Sequence, residues 1–105
     1  MKEISVQELK TKFDNQEDFQ LIDVREPFEY DISNLKGELI PMATVLDHVD
    51  KIARDKVVVV YCKSGNRSGV IIKELERRFG FENLYNLKGG INAYAREIDP
   101  GISVY

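Results

Sequence analysis

Four consecutive valines, Val57 to Val60, run into Tyr61 and Cys62, and no other stretch limits the folding of this chain so strongly. An unbroken apolar run reads as a strand buried on both faces, the condition of a central strand in a parallel sheet. A polar stretch follows, Lys63–Ser64–Gly65–Asn66–Arg67–Ser68–Gly69. From Val70 the period changes. Ile71, Leu75 and Phe79 recur every four residues, with Lys73, Glu74, Glu76, Arg77 and Arg78 between them. That spacing predicts an amphipathic helix, stopped by Gly80. Cys62 then stands at the carboxyl end of a central strand with a helix N-terminus behind its loop, where open α/β sheets place their ligands.

The loop has a chemistry of its own. Its amides can turn toward the cysteine sulfur as an anion-binding nest, and the helix behind it adds partial positive charge. Lys63 and Arg67 add full charges. Each effect favours thiolate over thiol, so Cys62 is expected to be a nucleophile with a lowered pKa. The bland alternative is a small buried hydrophobe, the common fate of a free cysteine. Arg67 at a helix start stands against the helix dipole, which suggests that it serves an anion. Lys63 is either a surface lysine or a receiver of an anionic donor. Ser64 and Ser68 suit loop and capping roles, with Ser68 also able to donate to an anion held at the loop. Gly65 suits a backbone geometry that other residues resist.

The rest of the chain alternates strands and helices. Ser5–Val6–Gln7–Glu8 fits a capping box, and Val6, Leu9 and Phe13 mark the face of the helix it opens. Phe19 to Val24 reads as a second buried strand, ending at Asp23 and Arg25. Pro27 suits the first position of a short helix reaching to about Asn34. Leu39–Ile40 reads as a short strand, and Ala43 to Arg54 as a helix burying Val45, Val49 and Ile52. Leu84 to Leu87 is a further strand. Gly89–Gly90 is a turn with room for positive φ. Ile91, Tyr94 and Ile98 share a last helical face, ended by Pro100–Gly101, and the tail 102–105 is expected to be irregular but packed. This alternation implies an α/β domain with a mainly parallel sheet covered on both faces.

At 105 residues the chain is one domain, residues 1–105, and 43% hydrophobic residues can supply its core. Fifteen basic against eighteen acidic residues give a net charge of −3, which offers no reason to propose nucleic acid or an anionic membrane as partner. One cysteine excludes an internal disulfide. With a single histidine it also argues against a zinc site. His48 lies in an acidic stretch beside Asp47 and reads as a solvated helix residue, so no histidine base is expected for a cysteine hydrolase. A lone thiol, no membrane-length apolar run and no signal-type start point to a cytoplasmic protein.

Three stretches carry a family resemblance. Cys62–Lys63–Ser64–Gly65–Asn66–Arg67–Ser68 resembles the active-site loop of the rhodanese-like sulfurtransferases. Leu21–Ile22–Asp23–Val24–Arg25–Glu26–Pro27–Phe28–Glu29–Tyr30 is similar to the family's first signature, and Leu87–Lys88–Gly89–Gly90–Ile91–Asn92–Ala93–Tyr94 to its last. The resemblance implies a rhodanese-like fold with four to five strands. It implies Cys62 as nucleophile and Arg67 as the residue that fixes the loop and the sulfur-bound species. Lys63, Ser64, Gly65, Asn66 and Ser68 would hold the persulfide, and Asp23 with Arg25 would brace the site. Tyr94 stands where the family often has tryptophan and is expected to pack near the sheet.

The implied reaction is double displacement through a Cys62 persulfide, from a small donor such as thiosulfate or a protein donor to cyanide, a thiol or a protein acceptor, and it calls for no cofactor or metal. Two other classes stay open. Phosphatases and arsenate reductases on the same fold carry five residues between cysteine and arginine; here there are four, a tighter ring that suits one sulfur better than a phosphoryl group. A non-catalytic binding module is the other class, which retention of Cys62 and Arg67 disfavours. The run Ser33–Asn34–Leu35–Lys36–Gly37–Glu38–Leu39–Ile40–Pro41 and the ending Glu97 to Tyr105 resemble the rhodanese domain of ubiquitin-activator-like adenylyltransferases. That resemblance implies a ubiquitin-like sulfur carrier as acceptor, a stand-alone domain to serve it and a loop mouth open to such a partner.

Overall fold

The structure, a computed structural model, describes residues 1–105. Five strands form one parallel sheet: β1 (Lys2–Ile4), β2 (Gln20–Asp23), β3 (Glu38–Leu39), β4 (Val58–Tyr61) and β5 (Leu84–Leu87), in the order β1-β5-β4-β2-β3. The valine run is the middle strand, as its composition predicts, and all four β4 residues are buried. Side chains alternate across a strand, so Val58, Val60 and Cys62 face one core while Val59 and Tyr61 face the other. Helix α3 (Asn66–Phe79) packs Ile71, Ile72 and Leu75 on the first face. Helices α1 (Val6–Asp14) and α4 (Gly90–Glu97) pack Val6, Leu9, Ile91 and Tyr94 on the second.

Local signals are realised where they depend on neighbours in sequence. The Ser5–Glu8 capping box is formed in both directions, at 3.0 and 3.1 Å. Pro27 opens α2 (Pro27–Ile32), which stops two residues short of Asn34 because Ser33 is extended. Gly80 ends α3 in a left-handed conformation at φ 70.

Two readings are corrected. The helix expected over residues 43–54 is instead a pair of short 3₁₀ turns, Val45–Asp47 and Val49–Lys51, broken at His48 (φ −131), which is half-buried rather than a solvated helix residue. Tertiary contacts override the periodicity here. The Gln20 side chain donates to the Lys51 carbonyl at 2.7 Å and accepts from the Ala53 amide at 2.8 Å, taking backbone groups that a continuing helix would pair within itself. The buried pattern survives in part, since Val45 and Ile52 still enter the core. The other correction is β1, which was not foreseen. Its three residues are too few to show a period, and only Ile4 among them is buried.

Candidate active site

The site is built where β4 ends. Cys62 leaves the strand, residues 63–65 turn, and α3 begins at Asn66. Gly65 occupies the N-cap with φ 101, a conformation that side chains with Cβ resist. That turn brings the Gly65 amide to 3.1 Å from Cys62 Sγ, and the first turn of α3 adds the Ser68 amide at 3.5 Å and the Ser68 hydroxyl at 3.3 Å. No side chain caps this helix end, which leaves the Gly65 and Ser68 amides free for the sulfur.

The loop's carbonyls point the other way. Ile91 and Asn92, in the first turn of α4, donate to the Cys62 and Lys63 carbonyls at 3.0 and 3.1 Å. Gly90 makes this contact possible: a Cβ there would lie 2.4 Å from the Lys63 carbonyl oxygen and 2.5 Å from that of Cys62. The Gly89–Gly90 pair, both at positive φ, is thus a close-packed junction rather than a flexible turn. Two helix N-termini sort the loop, one aiming amides at sulfur and the other occupying carbonyls.

The Cys62 thiol is held below its ordinary value. Burial pushes it up, but hydrogen bonds from the Ser68 hydroxyl and the Ser68, Gly65 and Ser64 amides outweigh burial. The two cations expected to do this work are engaged elsewhere. Arg67 forms a two-pronged pair with Glu29, NH1 to Oε1 at 2.6 Å and NH2 to Oε2 at 2.9 Å. Lys63 stands over the Tyr105 ring, its Nζ 4.5 Å from the centroid. Neutral donors therefore lead in stabilising the thiolate, and Arg67, which the Cys62 charge helps hold in its ionised form, couples the surrounding frame to it.

That frame is continuous. Arg25 is fully buried and meets Asp23 through Nε at 3.0 Å and NH2 at 2.7 Å. Its NH1 donates to the Tyr105 hydroxyl at 2.7 Å, and that hydroxyl donates to Glu29 Oε2 at 2.7 Å. The Arg67 guanidinium, aided by the Tyr105 hydroxyl and the Glu26 amide, holds the Glu29 carboxyl down at about 2 against a burial effect that raises it. Arg25 and Arg67 are both pushed further toward the charged form: burial opposes this at Arg25 but Asp23 and Tyr105 overcome it, and at Arg67 the Glu29 bonds dominate.

The residues singled out from the sequence fall on this loop or in the frame, but not all of them meet the sulfur. Cys62, Gly65 and Ser68 touch one another. Ser64 and Asn66 are exposed on the loop's outer rim, with Lys63 and Arg67 half-buried beside them, and Asp23 and Arg25 lie beneath. Cys62 itself is only 1% exposed, so the sulfur is set below the rim rather than in an open mouth. Three site residues escaped sequence reasoning. Glu29 and Tyr105 meet their partners across 38 to 80 residues of chain. Asn86, at 18 residues from Ser68, accepts from its hydroxyl at 2.5 Å and donates to the Gly65 carbonyl at 3.0 Å. Only Asn86 left a signal, as an amide inside the otherwise apolar run Leu84–Leu87.

Comparison with known proteins agrees with this geometry. The Rhodanese-like domain family matches residues 5–97. The chain is 37% identical to Rhodanese-like/PpiC domain-containing protein 12, chloroplastic, of Arabidopsis thaliana, covering all of this chain and 38% of that protein. It is 34% identical to the probable adenylyltransferase/sulfurtransferase MoeZ of Mycobacterium tuberculosis, covering 97% of this chain and 26% of MoeZ. The chain therefore spans well under half the length of these relatives. A rhodanese-like domain protein from Staphylococcus aureus superposes with a TM-score of 0.83 at 28% identity, over 100% of this chain and 99% of that one. No helix is long and apolar enough to cross a membrane. On the family match and the relatives together, the chain belongs to the rhodanese-like domain family.

Proposed function

We propose that this protein is a sulfurtransferase that carries sulfane sulfur as a persulfide on Cys62. The observation that carries the reading is the cradle of neutral donors converging on Cys62 Sγ, with the thiol pKa held down by those same bonds. A thiolate so prepared attacks the outer sulfur of a donor such as thiosulfate. A bond forms between Sγ and the outer sulfur, the donor's S–S bond breaks, and sulfite leaves with the electron pair. An acceptor nucleophile then takes the outer sulfur. The bond to Sγ breaks, and Sγ recovers its electron pair as thiolate. No proton, oxidant or metal is needed in either half, which suits a site with no base against the sulfur.

The loop size supports sulfur over phosphate, because four residues separate Cys62 from Arg67 and the Arg67 terminal nitrogens are held by Glu29. Lys63 is the cation left at the rim for an anionic donor. Asp23 and Arg25 hold the floor and do not touch the reacting sulfur. Relatives named adenylyltransferase/sulfurtransferase support a protein acceptor of the ubiquitin-like carrier type. There the persulfide's outer sulfur attacks the activated C-terminal carbonyl, the activating group leaves with its electron pair, and a thiol reductant then cleaves the S–S bond to return Cys62. A cytoplasmic setting suits the lone thiol.

The test is intact mass after thiosulfate treatment and desalting, repeated after cyanide. The expected result is a gain of one sulfur atom, removed by cyanide as thiocyanate. With no other cysteine in the chain, the added sulfur has one place to sit. If neither thiosulfate nor a cysteine-desulfurase donor loads the reduced thiol, the reading fails and the binding-module class takes its place.

A further inference from the structure

Ser68 has one hydroxyl proton and two acceptors. Its Oγ lies 2.5 Å from Asn86 Oδ1 and 3.3 Å from Cys62 Sγ. Ser68 is 0% exposed and Asn86 3%. Asn86 is fixed in orientation, because its Nδ2 donates to the Gly65 carbonyl at 3.0 Å. A flip would set the amide oxygen against that carbonyl oxygen and turn the NH2 toward Ser68. The amide oxygen therefore stays an acceptor aimed at Ser68.

Each protonation state of Cys62 can now be counted. With Cys62 as thiol, S–H donates to Ser68 Oγ and Ser68 donates to Asn86, so every group is satisfied. With Cys62 as thiolate, the hydroxyl must choose. Turning to sulfur orphans the buried Asn86 oxygen, and staying with Asn86 leaves sulfur to the loop amides alone. Either choice forfeits a hydrogen bond to a buried group.

We propose that Asn86 is a positioning residue that competes with the Cys62 sulfur for the Ser68 hydroxyl, and so favours every state in which the negative charge is not on Sγ. The thiol is one such state. On the sulfurtransferase reading, the persulfide is the other: Sγ is bonded to Cβ and to the outer sulfur, and the charge rests on the outer sulfur. Loading frees the Ser68 proton to return to Asn86. Unloading breaks the bond between Sγ and the outer sulfur, returns an electron pair to Sγ and draws the hydroxyl back. Asn86 thus helps a carrier keep its sulfur until an acceptor takes it. This last step rests on the proposed function, whereas the competition itself does not.

The test begins with the pH dependence of Cys62 alkylation by iodoacetamide. Asn86→Leu removes the competing acceptor. Its alkylation midpoint is expected to fall by about one pH unit, tenfold in the thiol–thiolate equilibrium. Ser68→Ala is expected to raise the midpoint, and adding Asn86→Leu to Ser68→Ala to lower it no further. A purely structural Asn86, needed only to hold the Gly65 carbonyl, would give the opposite sign, because a loosened loop loses amide contacts to sulfur. To guard against a disturbed loop, the Asn86 side-chain ¹³Cγ resonance is followed in otherwise unaltered protein. It should titrate with the Cys62 midpoint and stop doing so in Ser68→Ala. A resonance that is flat, or that titrates equally in Ser68→Ala through the field of the thiolate alone, overturns the proposal. A loaded Asn86→Leu protein should lose sulfur to cyanide several-fold faster than the parent. If the parent never loads, the sulfurtransferase reading falls while the titration result stands.

Discussion

The cradle around Cys62 and the frame beneath it solve different electrostatic problems. The cradle is made of amides and one hydroxyl, all neutral. The frame is made of ions that neutralise each other: Asp23 with Arg25, and Glu29 with Arg67. A sulfur that gains and loses charge needs donors that can yield, and a hydroxyl with a second acceptor is not left unpaired when the sulfur gives up its charge. A buried full charge held for the sulfur would be left unpaired in every state where Sγ is neutral. The chain keeps its buried charges in fixed pairs and leaves the changing charge chiefly to dipoles, with Arg67 as the one frame charge that also feels it. Preorganised dipoles of this kind are the usual source of electrostatic catalysis.

The sharpest way to break the comparison is to remove the only group the cradle serves. Cys62→Ser is expected to abolish sulfur loading, with no mass gain from thiosulfate, while circular dichroism and thermal unfolding stay near those of the parent. The frame, by contrast, should fail in stability. Arg25→Leu leaves the Asp23 carboxylate, 0% exposed, without its partner. About 3–5 kcal/mol of unfolding free energy should be lost, as for other broken buried pairs. Urea denaturation measures this, and a loss below about 1 kcal/mol would show that the pair is not what holds the frame.

The same division explains what could be read from the sequence. The cradle is nearly all local: Cys62, Gly65 and Ser68 fall within seven residues, and the strand, loop and helix that position them announce themselves by a change of period. Pro27, Gly80 and the Ser5 cap were legible for the same reason. The frame is assembled across the chain. Nothing near Arg67 in sequence says that its anion is a carboxylate on a different helix, and nothing near Tyr105 says that it reaches Arg25. The lost helix at residues 43–54 has this origin too, since Gln20 on β2 decides its backbone pairing.

The frame and the cradle should also separate along pH. Glu29 has a folded pKa of about 2, lowered chiefly by Arg67. Its ionised form is therefore favoured by folding. That stability is fully present above the ordinary carboxylate pKa and is lost as pH falls toward and through about 2. Glu29→Gln should flatten stability in this acid window and leave neutral-pH alkylation of Cys62 within about twofold. Cys62 moves in the other range. Its lowered pKa makes the thiolate favoured by folding, so stability from this group grows as pH rises through the folded pKa and levels off above the ordinary thiol pKa of the unfolded chain. A shift of the alkylation midpoint in Glu29→Gln comparable to that in Ser68→Ala would erase the distinction between the two regions.

The smallest effect is expected where the two regions meet. Tyr105 touches the frame through its hydroxyl and the loop through its ring, over which Lys63 stands at 4.5 Å. Tyr105→Phe keeps the ring and removes the hydroxyl, which costs about 1 kcal/mol of stability, the usual scale of a hydrogen bond, or up to about 3 because both partners are charged. It should not change how the rim receives an anion. Tyr105→Leu removes both, and Lys63 loses a cation–π contact worth about 0.5–1 kcal/mol at an exposed site. The readout is the ratio of Cys62 alkylation by iodoacetate to that by iodoacetamide, which differ in charge. The ratio should hold in Tyr105→Phe and fall a few-fold in Tyr105→Leu and in Lys63→Gln, with no further fall when the last two are combined. Additive falls would mean that Lys63 acts on incoming anions without Tyr105, and that ring and hydroxyl both belong to the frame alone.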